Sequence, residues 1–236
     1  KADMVIYVGG LNHIQDTEGA DREDMKLPYE QEDLILSLLN ANENTVIAMV
    51  AGSPVTMTAF EKKAKAIVYS WYAGMEGGTA LGKVLFGDYN PCGKLPETFP
   101  ISEKDCSAHH IGEFPGDDVV RYKEGIFVGY RYYDTFQTPV QYPFGYGLSY
   151  TSFALSNLQV KEADKINQKQ QWNITLDIEN TGAYPGAETV QIYVGCESKK
   201  VERSAKELKA FQKVFLQPGE KKEITLSISE DAFRYY

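Results

Sequence analysis

The period of the apolar residues changes at about Thr151, and that change constrains the fold more than any other feature of the chain. Ahead of it, apolar residues come in continuous runs: Met4-Val5-Ile6-Tyr7-Val8, Thr45-Val46-Ile47-Ala48-Met49-Val50 and Ala66-Ile67-Val68-Tyr69-Ser70-Trp71-Tyr72. Short runs followed by Gly9-Gly10, Gly52-Ser53-Pro54 and Gly74 read as strands buried on both faces, as in a parallel sheet. Beyond Thr151 the period is two. Phe153-Leu155-Leu158-Val160, Trp172-Ile174-Leu176-Ile178, Val190-Ile192-Val194, Leu208-Ala210 with Val214-Leu216, and Ile224-Leu226-Ile228 interleave with polar residues. Asn180-Thr181-Gly182, Gly195 and Pro218-Gly219-Glu220 supply turn signals between them, so an antiparallel β-sandwich is expected.

Helical patterns separate the apolar runs. Pro28 stands near N1 of a helix expected from Tyr29 to Asn40, with an acidic first turn and apolar residues at helical spacing. Helix formers around Phe60 predict a short second helix from Thr58 to Ala64, and Gly77-Gly78 open a third that runs to Phe86. Strand and helix thus alternate as in a parallel α/β sheet covered on both faces. Three strands make a thin sheet of that kind. The chain also starts without Met, already inside a folded element, and both features predict further units upstream.

From Lys94 to about Tyr150 neither period holds. Pro96, Pro100, Pro115, Pro139 and Pro143 punctuate the stretch, and apart from the apolar run Ile126-Phe127-Val128 no element is predicted there. Its aromatic density, with Tyr122, Phe127, Tyr130, Tyr132, Tyr133, Phe136, Tyr142, Phe144, Tyr146 and Tyr150, predicts a connector packed against domain surfaces. The expected division is an α/β domain over residues 1–100, the connector over 101–150 and the β-sandwich over 151–236. The sandwich stops at Tyr235-Tyr236, before a seventh strand can be written.

Composition excludes several function classes. The net charge of -9, from 33 acids against 24 bases, disfavours nucleic acid and anionic membrane surfaces as partners. No apolar run reaches the length of a membrane span, and the first residues do not read as a signal peptide. Cys92, Cys106 and Cys196 form neither a disulfide framework nor a metal spacing, which favours a reducing, cytoplasmic compartment. His13, His109 and His110 lack a Cys or carboxylate at ligand spacing, so no metal site is expected.

The chemistry points to one loop. Asp16-Thr17-Glu18-Gly19-Ala20-Asp21-Arg22 follows the first apolar run, and loops outside the carboxyl ends of strands are where α/β folds place ligands. Glu18 is the candidate general acid/base. That role requires a pKa moved toward neutrality by burial or by a second negative charge, which Asp16 and Asp21 can supply while Arg22 orients or counters them. The competing reading is a solvated polar loop in which Arg22 neutralises an acidic cluster. Asp21, Arg22 and Trp71 are weaker candidates for substrate contact, each with structural pairing or core packing as its alternative. The Tyr130-Arg131-Tyr132-Tyr133 cluster resembles a sugar-stacking platform, but the connector argument assigns it to packing.

Together these segments resemble glycoside hydrolase family 3, of the β-glucosidase type with a C-terminal fibronectin type III-like domain. The resemblance runs over essentially the whole chain. It rests on Glu18-Gly19 with Asp21-Arg22, Gly52-Ser53-Pro54-Val55, Trp71-Tyr72-Ala73-Gly74 with Glu76-Gly77-Gly78, and Gly93-Lys94-Leu95-Pro96-Glu97-Thr98-Phe99-Pro100. Glu124-Gly125-Ile126-Phe127-Val128-Gly129-Tyr130-Arg131-Tyr132-Tyr133, Pro143-Phe144-Gly145-Tyr146-Gly147-Leu148-Ser149-Tyr150 and Leu208-Lys209-Ala210-Phe211 continue it.

The resemblance implies a retaining exo-glycosidase that hydrolyses terminal non-reducing β-D-glycosyl residues, with a β-linked oligosaccharide or glycoside as substrate. It implies a nucleophilic Asp on an N-terminal barrel outside these residues, with Glu18 as acid/base on the α/β sandwich domain. That domain would then be partial here, and the fibronectin type III-like domain C-terminally incomplete. No metal or organic cofactor enters such chemistry, and this portion alone is expected to be inactive. Ala20 stands where some relatives carry an aromatic residue that can stack on the leaving-group sugar. The architecture argues against the N-acetylglucosaminidase branch. The alternative class is a non-catalytic carbohydrate-binding or scaffold module.

Overall fold

A computed structural model describes residues 2–116, 118–197 and 200–234. The chain divides into two compact units that interleave along the sequence. The first gathers Lys1–Leu85, Thr98–Glu124 and Pro139–Pro143; the second gathers Phe86–Glu97, Gly125–Thr138 and Phe144–Tyr236. Residues 101–150 are thus shared out between them.

The first unit is built on a parallel sheet of β1 (Val5–Gly10), β2 (Thr45–Val50) and β3 (Ala66–Tyr69), in the order β1-β2-β3. The apolar runs form strands because the central strand can bury them on both sides: Ile47, Ala48 and Met49 of β2 are fully buried. Helix α1 (Gln31–Ala41) covers one face with buried Ile35 and Leu39. The expectation of a sheet covered on both faces fails at β1. Tyr7 is buried, but Val8, on the opposite side of the pleat, is 58% exposed. Helix α2 (Gly77–Leu85) follows as predicted, one residue shorter.

Three local expectations are corrected. Pro28 is not near N1: Tyr29 and Glu30, with φ of 61° and 56°, separate it from the helix, which starts at Gln31. The predicted helix at Thr58–Ala64 is a pair of turns, Glu61 N–H donating to the Met57 carbonyl (2.9 Å) and Ala64 N–H to the Phe60 carbonyl (3.0 Å). The fully buried Phe60 anchors these turns. The third strand stops at Tyr69 because Trp71 turns left-handed, at φ 54°.

Residues 101–150 hold more structure than their composition suggests. A two-residue strand β4 (Phe99–Pro100) pairs antiparallel with β5 (Val140–Tyr142), and α3 (Ser107–His110) is a single turn, all in the first unit. In the second unit α4 (Tyr130–Phe136) is a helix made of residues with poor helix propensity. Burial of Tyr132 and Tyr133 holds it, and Tyr130 stacks on Phe144 with ring centroids 4.6 Å apart. The aromatic cluster therefore serves packing. Not every aromatic of the stretch is covered, however: Tyr122 is 83% exposed.

The rest of the second unit is the β-sandwich. Strands β6 (Phe153–Ile166), β7 (Lys169–Asn180) and β10 (Lys221–Ser229) form an antiparallel sheet, and β8 (Gly186–Val194) pairs with β9 (Glu207–Leu216). Ile174, Leu176 and Ile178 of β7, Val190, Val214, Leu216, and Ile224, Leu226 and Ile228 of β10 share one apolar core. Asn180, fully buried, has every side-chain bond satisfied. It accepts from Thr151 Oγ1 (2.6 Å) and Gly182 N–H (3.1 Å) and donates to the carbonyls of Tyr184 (2.8 Å) and Leu216 (3.2 Å). The alternation in β6 does not bury its apolar residues. Leu155 and Val160 pair with Ile178 and Ile174, yet both are exposed, and a bulge at Asn157 (φ 56°) leaves Leu158 65% exposed. Within this unit Lys94 donates to the Gly147 carbonyl (2.6 Å) and pairs with Glu188 (2.8 Å).

Candidate active site

Parallel pairing puts the carboxyl ends of β1, β2 and β3 along one edge, and the loops leaving that edge carry Asp16, Glu18, Asp21, Arg22 and Trp71. The loop after β1 is held at its root by α1. The Gln31 carboxamide accepts from Gly10 N–H (2.8 Å) and Tyr7 O–H (2.6 Å) and donates to the carbonyls of Gly10 (2.8 Å) and Pro28 (2.9 Å). Gly10 sits at φ 146° against β2, where a Cβ would fall 1.9 Å from the Val50 carbonyl oxygen, so only glycine fits. The chain returns to the core through buried Met25 and Leu27, with Thr56 N–H donating to the Met25 carbonyl (2.8 Å).

Between root and return the loop makes a small hairpin. Thr17 and Ala20 form an isolated antiparallel bridge with Glu18 and Gly19 at the tip, Gly19 at φ 80°. Glu18 is exposed, and no hydrogen bond or ion pair ties it to another described residue. Its carboxyl is free to meet a ligand or a second protein surface. Asp21 is likewise exposed and unpaired among the described residues.

The legs of the hairpin are not free. Asp16 Oδ2 accepts from Tyr72 O–H (2.7 Å) and Gly52 N–H (3.1 Å), while Oδ1 lies 3.7 Å from Arg22 Nε. Arg22 Nη2 donates to Ser53 Oγ (2.9 Å) and to the Pro54 carbonyl (3.0 Å). Arg22 is thus engaged through Nη2 and Nε, while its buried Nη1 has no hydrogen-bond partner among the described residues. Asp16 is thus committed to Tyr72, Gly52 and Arg22. Partial burial first, and then the hydrogen bond and charge of Asp16, push the Tyr72 hydroxyl up to about 12, so it stays a donor at every ordinary pH. Gln31 lies in no motif and the motif holding Tyr72 gives it no role; their roles come from partners 21 and 56 residues away. The one hint was the position of Tyr72 beside Trp71 in the motif that follows β3.

Trp71 packs edge-on against Tyr69 and Phe99, with centroids 5.0 and 6.0 Å apart, as a packing residue would. His109 and His110 are exposed, His109 against Phe114, and no group of three or more His, Cys, Asp or Glu gathers among the described residues. An open depression of about 700 Å³ lies in the second unit, bordered by Lys161, Glu162, Asp164, Lys165, Asn173 and Thr175. It has no aromatic wall on which a sugar could stack.

Comparison with known proteins gives these features a common origin. The glycosyl hydrolase family 3 C-terminal domain matches residues 1–150, and the fibronectin type III-like domain matches residues 188–236. The β-glucosidase BoGH3A of Bacteroides ovatus is 45% identical over 240 residues, covering 100% of this chain and 32% of that protein. The crystal structure of a GH3 β-glucosidase from Bifidobacterium adolescentis matches with a TM-score of 0.91 at 40% identity, covering 99% of this chain and 34% of that one. The β-glucosidase of Kluyveromyces marxianus in complex with glucose matches at 0.87 and 42% identity, covering 96% of this chain and 27% of that one. The chain therefore spans about a third of the length of such relatives. An α/β domain followed by a fibronectin type III-like β domain, with the motifs in family order, makes this chain a member of glycosyl hydrolase family 3, corresponding to the C-terminal region of its β-glucosidases.

Proposed function

We propose that this chain is the C-terminal part of a retaining, exo-acting β-glycosidase in which Glu18 is the general acid/base. The nucleophilic Asp belongs to an N-terminal barrel outside the chain. One observation carries the reading: a carboxyl with no hydrogen-bond or ion-pair partner among the described residues stands at the tip of a braced hairpin, on the edge where α/β sheets receive ligands. A retaining mechanism needs two carboxyl groups about 5 to 5.5 Å apart, one ionised and one protonated. Carrying them on separate domains places the glycosidic bond in the cleft between, where closure supplies the desolvation that an exposed Glu18 lacks here. Glu18 protonates the departing glycosidic oxygen and then takes a proton from the water that releases the sugar. The named relatives are β-glucosidases, so β-glucosides are the substrates to test first.

The test is Glu18→Gln in the full-length enzyme. For alkyl β-glucosides, whose leaving groups need protonation, kcat/KM falls on the order of a hundredfold or more. For 2,4-dinitrophenyl β-glucoside, whose leaving group departs unprotonated, kcat/KM is nearly kept, kcat drops, and azide restores it. Equal losses on both substrates refute the role. Unchanged turnover with unchanged affinity favours a binding module instead. The isolated chain, holding half of the catalytic pair, turns over neither substrate.

A further inference from the structure

We infer that Asp16, Tyr72 and Arg22 form a clamp that positions Glu18 for proton transfer, an inference that rests on the acid/base reading of Glu18. The Glu18 carboxyl, exposed at a hairpin tip, has no hydrogen-bond or ion-pair partner among the described residues, so its place is set by the legs on either side. Asp16 lies two residues before Glu18 and Arg22 four residues after it. The first leg is bonded through Asp16 to Tyr72, beyond β3, and to the backbone of Gly52, beyond β2. The second leg is bonded through Arg22 to Ser53 and Pro54 of that same loop beyond β2. The 3.7 Å approach of Arg22 to Asp16 joins the legs, and the Thr17–Ala20 bridge closes the hairpin just inside them. At position 52 a Cβ would lie 2.6 Å from the Tyr72 ring and 3.0 Å from Asp16 Oδ2, so any side chain there displaces the clamp.

A catalytic group misplaced by about 1 Å can cost on the order of a hundredfold. Because the clamp acts through Glu18, its loss must show only where Glu18 is needed. In the full-length enzyme, Asp16→Ala is expected to lower kcat/KM for an alkyl β-glucoside by about 30-fold, and Tyr72→Phe, which deletes one hydroxyl, by about fivefold. With 2,4-dinitrophenyl β-glucoside the same variants change kcat/KM by less than about threefold, because that leaving group needs no acid. Added to Glu18→Gln, Asp16→Ala should deepen the alkyl-glucoside loss no further. A merely structural role would lower both substrates together. Parallel losses on the two substrates, or none on either, overturn the clamp when Glu18→Gln alone still discriminates between them. If Glu18→Gln does not discriminate, the acid/base reading fails and the clamp with it. Should Asp16→Ala not fold, Tyr72→Phe decides by the same comparison.

Discussion

Replacing Gln31 by Leu keeps the volume of the side chain and removes four hydrogen bonds at once: those from Gly10 N–H and Tyr7 O–H, and those to the carbonyls of Gly10 and Pro28. Each contributes about 1 kcal/mol net, which sums to about 4 kcal/mol. Gln31 is half-buried, so water can reach some of the orphaned groups, and the expected loss is about 2–3 kcal/mol. Of the two tryptophans, Trp71 lies in the same unit as Gln31. Urea unfolding followed by Trp71 fluorescence in a Trp172→Phe background therefore reads that unit. Tyr7→Phe removes one of the four bonds and should cost about 1 kcal/mol, while native-state exchange of the Gly10 amide should accelerate in Gln31→Leu only. A loss below about 0.5 kcal/mol with unchanged Gly10 exchange would refute the claim that Gln31 anchors the root of the Glu18 loop.

Asn180→Ala removes four bonds in a fully buried place, where no water replaces them, and should destabilise the sandwich by about 3–4 kcal/mol in urea unfolding followed by Trp172 fluorescence. A loss under about 1 kcal/mol would mean the network carries little of the fold. The Glu207 carboxyl is held below its ordinary range, first by its hydrogen bond with the Lys209 ammonium and then by Ser204 and the Arg131 guanidinium, against partial burial. A depressed folded value means that the unfolded chain takes up the proton first as pH falls. The stabilisation is therefore complete above the ordinary value of 4.5 and lost as pH drops through the folded value. The difference in Tm between the chain and Glu207→Gln should be present at pH 6 and shrink by pH 3. A gap unchanged between those two values would refute it.

The sequence by itself determined the elements whose signal is local. Three apolar runs became the parallel strands, alternation beyond Thr151 became the sandwich strands, and Gly9-Gly10 marked where the loop bearing Glu18 departs. Tertiary structure decided what depends on partners far along the chain. Tyr130–Phe136 is helical against its own propensity because burial of Tyr132 and Tyr133 outweighs it. Leu155 and Val160 stand opposite the buried Ile178 and Ile174, yet stay exposed, because a period gives the face of a strand and not what lies over it. Of the brace around Glu18, the sequence showed only that Arg22 can counter Asp16; the rest was silent. Asp16 and Tyr72 are 56 residues apart, and neither has a pattern that names the other. They meet because parallel register brings the ends of β1, β2 and β3 to one edge, and register is set by how whole strands pack rather than by any residue in the loops.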